Sequence, residues 1–259
     1  MSRLRAKCPD CHTFTAVALG TDYQCHSCGR EFRAGLVRVP RAWGLGGEAM
    51  AEAAQLPVPY PETAVIEEDS LAEQTFALAA ALPELPLVLG GCCCSHIGAI
   101  EGLASRHERL AVVWIDAHGD LNTPVSSPSG NAWGMPLRFL LEDGTIETGD
   151  VAHIGARNLD PPEVDYLAKS GVQHGPGAVK RALGGGVDGV YVALDCDVLL
   201  PGEMSVFMPE PDGPTVAEVE RLLGDVRTHA QVLGAGFTGH TADPGNVAAL
   251  ERFAAALGL

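Results

Sequence analysis

Three observations predict an α/β fold on a mainly parallel sheet, preceded by a small N-terminal zinc ribbon. Short apolar runs alternate with helical patterns from Gly35 onward. Two carboxylate-rich strings, Asp116-Ala117-His118-Gly119-Asp120 and Asp195-Cys196-Asp197, each directly follow one of those runs. Two C-x2-C pairs stand ahead of them all. Alternating strand and helix implies parallel pairing, because parallel neighbours need a long crossover that a helix fills.

Residues 36–39 read as the first buried strand, with helices near 47–54 and 70–81 leading to a second strand at 85–89. A short helix then precedes the strand at 110–115, and strands at 151–155, 189–194 and 231–234 repeat the pattern. Helices near 161–169, 177–182, 215–228 and 244–256 complete the series. In an open parallel sheet, sites lie beyond the carboxyl ends of the strands. Gly90-Gly91-Cys92-Cys93-Cys94 follows one strand, residues 116–120 a second and residues 195–197 a third, so three strand ends are expected to converge on one site.

At 259 residues and 46% hydrophobic content, the chain can bury one substantial core and carry a small appendage. No stretch reaches the roughly 18 uninterrupted apolar residues that a membrane span needs. The basic start at residues 1–7 leads into cysteines rather than an apolar signal core. The expected location is cytoplasmic, with no membrane partner. The net charge of -16 is uneven: residues 1–45 hold 7 Lys and Arg against 3 Asp and Glu, leaving 10 against 30 for the rest. So acidic a body repels nucleic acid.

Eight cysteines would suit disulfides in a secreted protein, but their grouping does not. Cys8, Cys11, Cys25 and Cys28 form two C-x2-C knuckles with thirteen residues between them, the spacing at which tight turns present four thiolates tetrahedrally. Four filled positions leave no open coordination site, so the expected zinc is structural. The chain divides accordingly into a ribbon at 1–35 and a body at 36–259. Ribbons also bind nucleic acid, and Arg30, Arg33, Arg38 and Arg41 form a modest basic run. The alternative is a folding or subunit-contact module whose arginines are solvated or paired with the acidic body.

Asp116, His118, Asp120, Asp195 and Asp197 carry the chemistry. Side chains alternate along a strand, so Asp116, His118 and Asp120 are expected on one face of their strand end, and Asp195 with Asp197 likewise. Four carboxylates and an imidazole held that closely repel one another unless divalent cations neutralise them, and ions such as Mn²⁺ take these ligands. A two-metal hydrolase explains the clustering.

Over residues 36–259 the chain resembles the arginase/agmatinase, or ureohydrolase, family. The loop at 90–94 is similar to the family's G-G-D-H-S, residues 116–120 to its D-A-H-x-D and residues 195–197 to its D-x-D, in the same order. Asn122-Thr123-Pro124, Ser129-Gly130-Asn131 and Gly134-Met135-Pro136 resemble the arginase-type stretch that follows the second motif. Gly155, Arg157, Asp160 and Glu163 resemble its G-x-R-x-x-D-x-x-E segment. The resemblance implies a three-layer α/β/α sandwich and a homo-oligomer, trimeric or hexameric. It implies two Mn²⁺ ions bridged by Asp116 and Asp195, with Asp120 completing one and His118 with Asp197 the other. It further implies that Asn122, Ser129, Asn131 and Asp160 hold the ends of an α-amino-acid substrate. Asp120 would hold the attacking hydroxide and pass its proton to the leaving amine. The alternative for the four polar residues is that they cap and hold loops.

Three departures from the family pattern bear on the reaction. Cys93 stands where the family has its first metal-ligating histidine, and Cys92 where it has aspartate. A thiolate is softer than an imidazole, so Zn²⁺, Fe²⁺ or Co²⁺ could replace Mn²⁺ there. Three consecutive cysteines cannot all face a site, so Cys92 or Cys94 is expected behind the ligands or as a small hydrophobe. His96 is a substitute ligand for Cys93, an incomplete site is a third option, and Cys196 should face the core. Trp133 replaces a shuttle histidine. An indole cannot shuttle protons, but it could cover the pocket, stack on a planar substrate group or simply pack. Finally, the family's guanidinium-binding glutamate falls on Gly239, His240 or Thr241, depending on the gap. His240 is then a candidate general acid/base or substrate contact, or an ordinary loop histidine, and Asp243 a replacement by loop shift.

The leading expectation is a dinuclear metal-dependent hydrolase of a linear C–N bond. Its substrate would be a small arginine-like amino acid with an amidine, guanidino or ureido group, such as arginine or N-hydroxyarginine. The alternative is a non-catalytic metal-binding or regulatory protein with an altered ureohydrolase site, its ribbon mediating protein or nucleic-acid contacts.

Overall fold

The computed structural model describes residues 5–259, so the first part of the basic start lies outside the described residues. Strands β1 (Ala16–Leu19), β2 (Asp22–Cys25) and β3 (Glu31–Phe32) pair antiparallel in that order around the four N-terminal cysteines. Their core is Ala6, Cys8, Ala16, Tyr23, Cys25 and Phe32, too few side chains to hold a fold unaided.

The body is one sheet of β4 (Gly35–Val39), β5 (Glu62–Val65), β6 (Pro86–Gly90), β7 (Leu110–Ile115), β8 (Val151–Ile154), β9 (Gln173–His174), β10 (Gly189–Asp195) and β11 (Val232–Thr238). Its order is β5-β4-β6-β11-β10-β7-β8-β9, with every neighbouring pair parallel. The helices are α1 (Leu71–Ala81), α2 (Ser95–Ala104), α3 (Pro136–Glu142), α4 (Pro161–Ser170), α5 (Ala178–Leu183), α6 (Val216–His229) and α7 (Val247–Leu257). Ser70 caps α1 by accepting from the Glu73 N–H, and Thr215 with Glu218 forms a capping box on α6.

β7 shows why three layers form. Ala111, Val113 and Ile115 belong to one hydrophobic core with Ala182 of α5, Leu223 of α6 and Phe253 of α7. Leu110, Val112 and Trp114 belong to a second core with Leu78 of α1, Ile100 of α2 and Leu140 of α3. Successive side chains therefore enter opposite cores, and the sheet is buried on both faces as a parallel sheet requires. The α/β/α sandwich expected from the sequence is the observed architecture.

Residues 47–54, expected as an ordinary helix, lie in a 3-10 helix at Gly47–Gln55. Gly46 precedes it in the left-handed region, and the Ala49 N–H bonds to the Gly46 carbonyl, the tighter three-residue pattern. At the outer edge of the sheet, the Lys7 N–H donates to the Glu62 carbonyl at 3.0 Å and the Glu62 N–H to the Lys7 carbonyl at 3.1 Å. The ribbon thereby covers part of an edge strand. Among the described residues, no helix is long and apolar enough to cross a membrane.

The sheet order decides where a site can form. β6, β11, β10 and β7 are consecutive neighbours, so the loops leaving their carboxyl ends meet at one rim.

Candidate active site

β7 ends at Ile115, and residues 116–120 form a loop beyond it. Strand alternation therefore does not bring Asp116, His118 and Asp120 together, as the sequence suggested; the loop does. The His118 N–H donates to Asp116 Oδ1 at 2.6 Å, and Asp120 sits at φ 53 in the left-handed region, which aspartate enters more readily than most residues. β10 likewise ends on Asp195, and Cys196–Val198 is a 3-10 turn in which the Asp197 N–H donates to Asp195 Oδ1 at 2.9 Å. Between the two loops, His118 Nδ1 lies 3.0 Å from Asp197 Oδ2 and 3.4 Å from Asp116 Oδ1. Cys196 is fully buried in the same core as Leu194 and Val198.

The loop after β6 brings Cys93. Its Sγ is 3.0 Å from Asp195 Oδ2, 3.6 Å from Asp116 Oδ2 and 3.2 Å from Thr238 Oγ1. Cys92 also lines the cavity, whereas Cys94 is buried at the head of α2. His96 does not join the cluster. It is fully buried, with Nδ1 3.0 Å from the Tyr191 hydroxyl and Nε2 3.4 Å from Thr238 Oγ1, and its ring stands edge-on to Trp114. Thr238, the last residue of β11, also donates to Asp195 Oδ2 at 3.0 Å.

Two sets of ligand atoms each lie within 4.8 Å of one another: Cys93, Asp116 and Asp120, and Asp116, His118 and Asp197. Asp116 belongs to both. Burial raises the carboxyls, and each charge raises its neighbours further. Asp195 is pushed up to about 7 by burial and then by Asp197, and Asp197 to about 6 by burial and then by Asp116. Burial and then Asp116 push Asp120 well above the carboxylate range, and burial and then Asp195 push the Cys93 thiol up. Burial pulls His118 down, but the Asp116 and Asp197 carboxylates outweigh it and hold the imidazole at about 12. Asp120 Oδ2 is buried with no hydrogen-bond partner. Clustered buried acceptors with one imidazole as their only basic member, and an orphaned carboxylate oxygen, fit divalent cations.

These groups line a cavity of about 280 Å³, which Asn122, Ser129, Asn131, Trp133 and Asp160 also reach. The four polar residues hold loops as well. Asn122 Nδ2 donates to Asp160 Oδ2 at 2.8 Å, the Asn131 N–H donates to Ser129 Oγ at 3.2 Å, and Asn131 Oδ1 accepts from the Leu45 N–H at 2.9 Å. Met50, Met208 and Asn158, which the sequence gives no reason to single out, line the cavity too, as does Glu163 of the G-x-R-x-x-D-x-x-E-like segment. Glu163 is fully engaged, accepting from the Leu121 N–H and the Asp160 N–H, each at 2.9 Å.

In the loop after β11, the lining reaches Gly239, and His240 is not part of it. His240 is fully buried, its Nδ1 3.3 Å from the Thr241 carbonyl and its Nε2 without a hydrogen-bond partner. Gly239 is at φ 71, and a Cβ there would overlap the Asp195 carboxylate, so only glycine fits. Thr241 Oγ1 donates to Ser205 Oγ at 2.7 Å, and Asp243 Oδ1 accepts from the Gly245 N–H at 2.8 Å. None of these positions offers a carboxylate to the cavity.

At the other end of the chain, the thiols of Cys8, Cys11, Cys25 and Cys28 lie within 4.8 Å of one another. Cys8 and Cys28 are 3.7 Å apart and Cys11 and Cys25 3.5 Å, and the Thr15 hydroxyl at 3.3 Å is the main influence lowering Cys25 to about 6. Four such thiols fit a tetrahedral ion.

Comparison with known proteins gives a match to the arginase family over residues 49–239. The chain is 34% identical over 196 residues to the arginase of Bacillus caldovelox, covering 63% of this chain and 65% of that protein. It is 38% identical over 144 residues to the arginase of Bacillus subtilis strain 168, covering 46% of this chain and 49% of that protein. The aligned segments thus span about half to just under two thirds of these curated relatives. The crystal structure of Bacillus subtilis arginase superposes with a TM-score of 0.74 at 25% identity, covering 87% of this chain and 98% of that one.

Proposed function

This chain belongs to the arginase family, and on that premise we propose that it is a dinuclear metal-dependent hydrolase of a linear C–N bond in a small amino-acid-like substrate. One observation carries the reading: Asp116, His118, Asp120, Asp195 and Asp197 meet at adjacent strand ends in one cavity, with an Asp120 oxygen left unpartnered. Cys93, Asp116 and Asp120 would hold one ion, and Asp116, His118 and Asp197 the other, with Asp195 beside both. Divalent ions, if held there, would supply Lewis acidity that activates water near neutral pH and offsets negative charge developing on the substrate.

The protein's own groups do the rest. One oxygen of Asp120 would ligate the ion, and the other would take the proton that the attacking water gives up and hand it to the departing nitrogen, so the buried carboxyl works as base and acid in turn. Asn122, Ser129, Asn131 and Asp160 present amide, hydroxyl and carboxylate groups at the polar wall, suited to the carboxylate and amino ends of the substrate. Trp133, Met50 and Met208 give the cavity apolar surface that excludes water. His240, outside the lining, takes no part in proton transfer in this arrangement.

The distal group of the substrate follows from what the loop at 239–241 lacks. A cationic guanidinium would enter without a charge-assisted partner from that loop, whereas a neutral ureido group needs none, and an N-hydroxylated guanidino group, a weaker base and a better leaving group, suits the shuttle position filled by Trp133. The proposal includes a structural zinc in the ribbon at residues 1–35, a hydrolase domain at 36–259, a homo-oligomer and a cytoplasmic location.

The test is a screen of arginine, agmatine, N-hydroxyarginine and ureido amino acids with the manganese-loaded protein, following the released amine (ornithine or putrescine) together with urea, N-hydroxyurea or ammonia. Turnover of at least one, lost by about 10²-fold or more in Asp120→Asn with metal retained, is expected. Two ions in the body with no turnover of any compound would favour a second reading, a metal-holding regulatory protein, to which the lost carboxylate and the shuttle position filled by Trp133 already lend some support.

A further inference from the structure

We propose that the body centre is built for two different ions, a thiophilic one such as Zn²⁺ beside Cys93 and Mn²⁺ beside His118. The inference rests on the reading of this site as a dinuclear metal centre. Its starting point is that the two donor sets are unequal. Both contain Asp116 and one further aspartate, Asp120 or Asp197, but one adds a thiol and the other an imidazole.

Thiolate is a soft donor that selects Zn²⁺ over Mn²⁺ far more strongly than carboxylate does. Zn²⁺ outranks Mn²⁺ in raw affinity at most sites, so discrimination shows when manganese is in excess. The imidazole and carboxylate set then takes Mn²⁺, while the thiolate set still captures zinc.

The surroundings of Cys93 are built to hold a ligand rather than a spare thiol. Thr238 Oγ1 lies 3.2 Å from Cys93 Sγ and donates to Asp195 Oδ2 at 3.0 Å. Its other contact, His96 Nε2 at 3.4 Å, belongs to an imidazole fixed by the Tyr191 hydroxyl at 3.0 Å and held edge-on to Trp114. Gly236 completes the frame, since a Cβ there would meet both His96 and the Tyr191 hydroxyl. Such an outer layer orients a ligand and sets its donor strength. The His118 side differs. His118 Nε2 faces Glu210 Oε1 at 3.4 Å, at the partly exposed end of the cluster.

The full-length protein is produced in medium with manganese well above zinc, and its metals are counted by mass spectrometry alongside electron paramagnetic resonance. The wild type should carry about two zinc ions, one of them in the ribbon, and one manganese, with the six-line spectrum of an isolated Mn²⁺. Cys93→His should carry about one zinc and two manganese, with the broadened spectrum of a coupled pair. The wild-type count decides the matter even if that variant fails to fold. One zinc and two coupled manganese ions in the wild type would overturn the mixed centre and leave the hydrolase reading standing, as would zinc at all three positions. Ribbon zinc alone would overturn both.

Discussion

The two cysteine-bearing clusters of this chain are opposites in construction. The ribbon gathers four thiols from tight turns around a core of six side chains, of which only Tyr23 and Phe32 are large, and Cys28 is exposed. The rim of the body gathers carboxylates, an imidazole and one thiol above a sheet packed on both faces, and Asp116, Asp120, Asp195 and Asp197 are all buried. If its four thiols hold an ion as proposed, the ribbon's scaffold should depend on it, because so small a core does little to fold it. The body's scaffold does not, so its ligands are free to be arranged for chemistry at a cost in repulsion that the fold absorbs. Metal removal should therefore unfold one region and only disarm the other.

The sharpest break between the two is Asp116→Ala. Asp116 is shared by both donor sets, so its loss should empty the body while the ribbon keeps its zinc. Activity should fall by at least about 10³-fold, the scale of a lost metal-activated nucleophile. The thermal midpoint of the apo-body should hold or rise, because a carboxyl raised by burial and then by Asp195 costs stability when no cation is present. Element counting beside calorimetry checks both halves; a collapsed fold would mean that the metal organises the rim as well.

Cys25→Ser tests the other side. One of four ligands is lost, and the ribbon strands should become open to protease while residues 36–259 resist. Zinc should fall by about one ion per chain and turnover should change far less than in Asp116→Ala. Matching losses of turnover and body metal would show that the ribbon supports the site and is no mere appendage.

Sequence made the acidic cluster at the body's rim legible because carboxylates are rare in apolar surroundings. Residues 70–81 and 215–228 were equally plain, since apolar spacing and the caps at Ser70 and Thr215 agree with Leu71–Ala81 and Val216–His229. Edge elements were not. β5 is half-exposed and β9 is two residues long, so neither has the apolar run that marks a strand. The geometry of the site was misread for a related reason: Asp195 is the last strand residue and Asp116, Asp120 and Asp197 lie past the strand ends, where a left-handed Asp120 and a 3-10 turn at Cys196–Val198 replace alternation. Thr238, Met50 and Met208 carry no unusual chemistry, and only the adjacency of distant segments makes them part of the site.

The smallest predicted effect lies where the two regions touch. Arg38 Nε donates to Glu62 Oε2 at 2.7 Å, directly beside the pair of backbone hydrogen bonds that join Glu62 to Lys7 of the ribbon. Arg38 also donates to the Ala54 carbonyl at 2.5 Å and the Leu56 carbonyl at 2.9 Å. Glu62→Gln therefore leaves the guanidinium with two acceptors, and the Glu62 side chain is 22% exposed, so water can reach it. The full penalty for stranding a buried charge does not arise, and a loss of about 1 kcal/mol is expected, lowering the midpoint by about 2–4 °C. Zinc retention by the ribbon separates two accounts of the junction. If the pair only stiffens β4 and β5, the ribbon keeps its ion and its protease resistance, because its backbone bonds to Glu62 survive the substitution. If the ion pair also seats the ribbon, zinc becomes easier to chelate in step with the fall in midpoint, and the two regions are one cooperative unit despite their different construction.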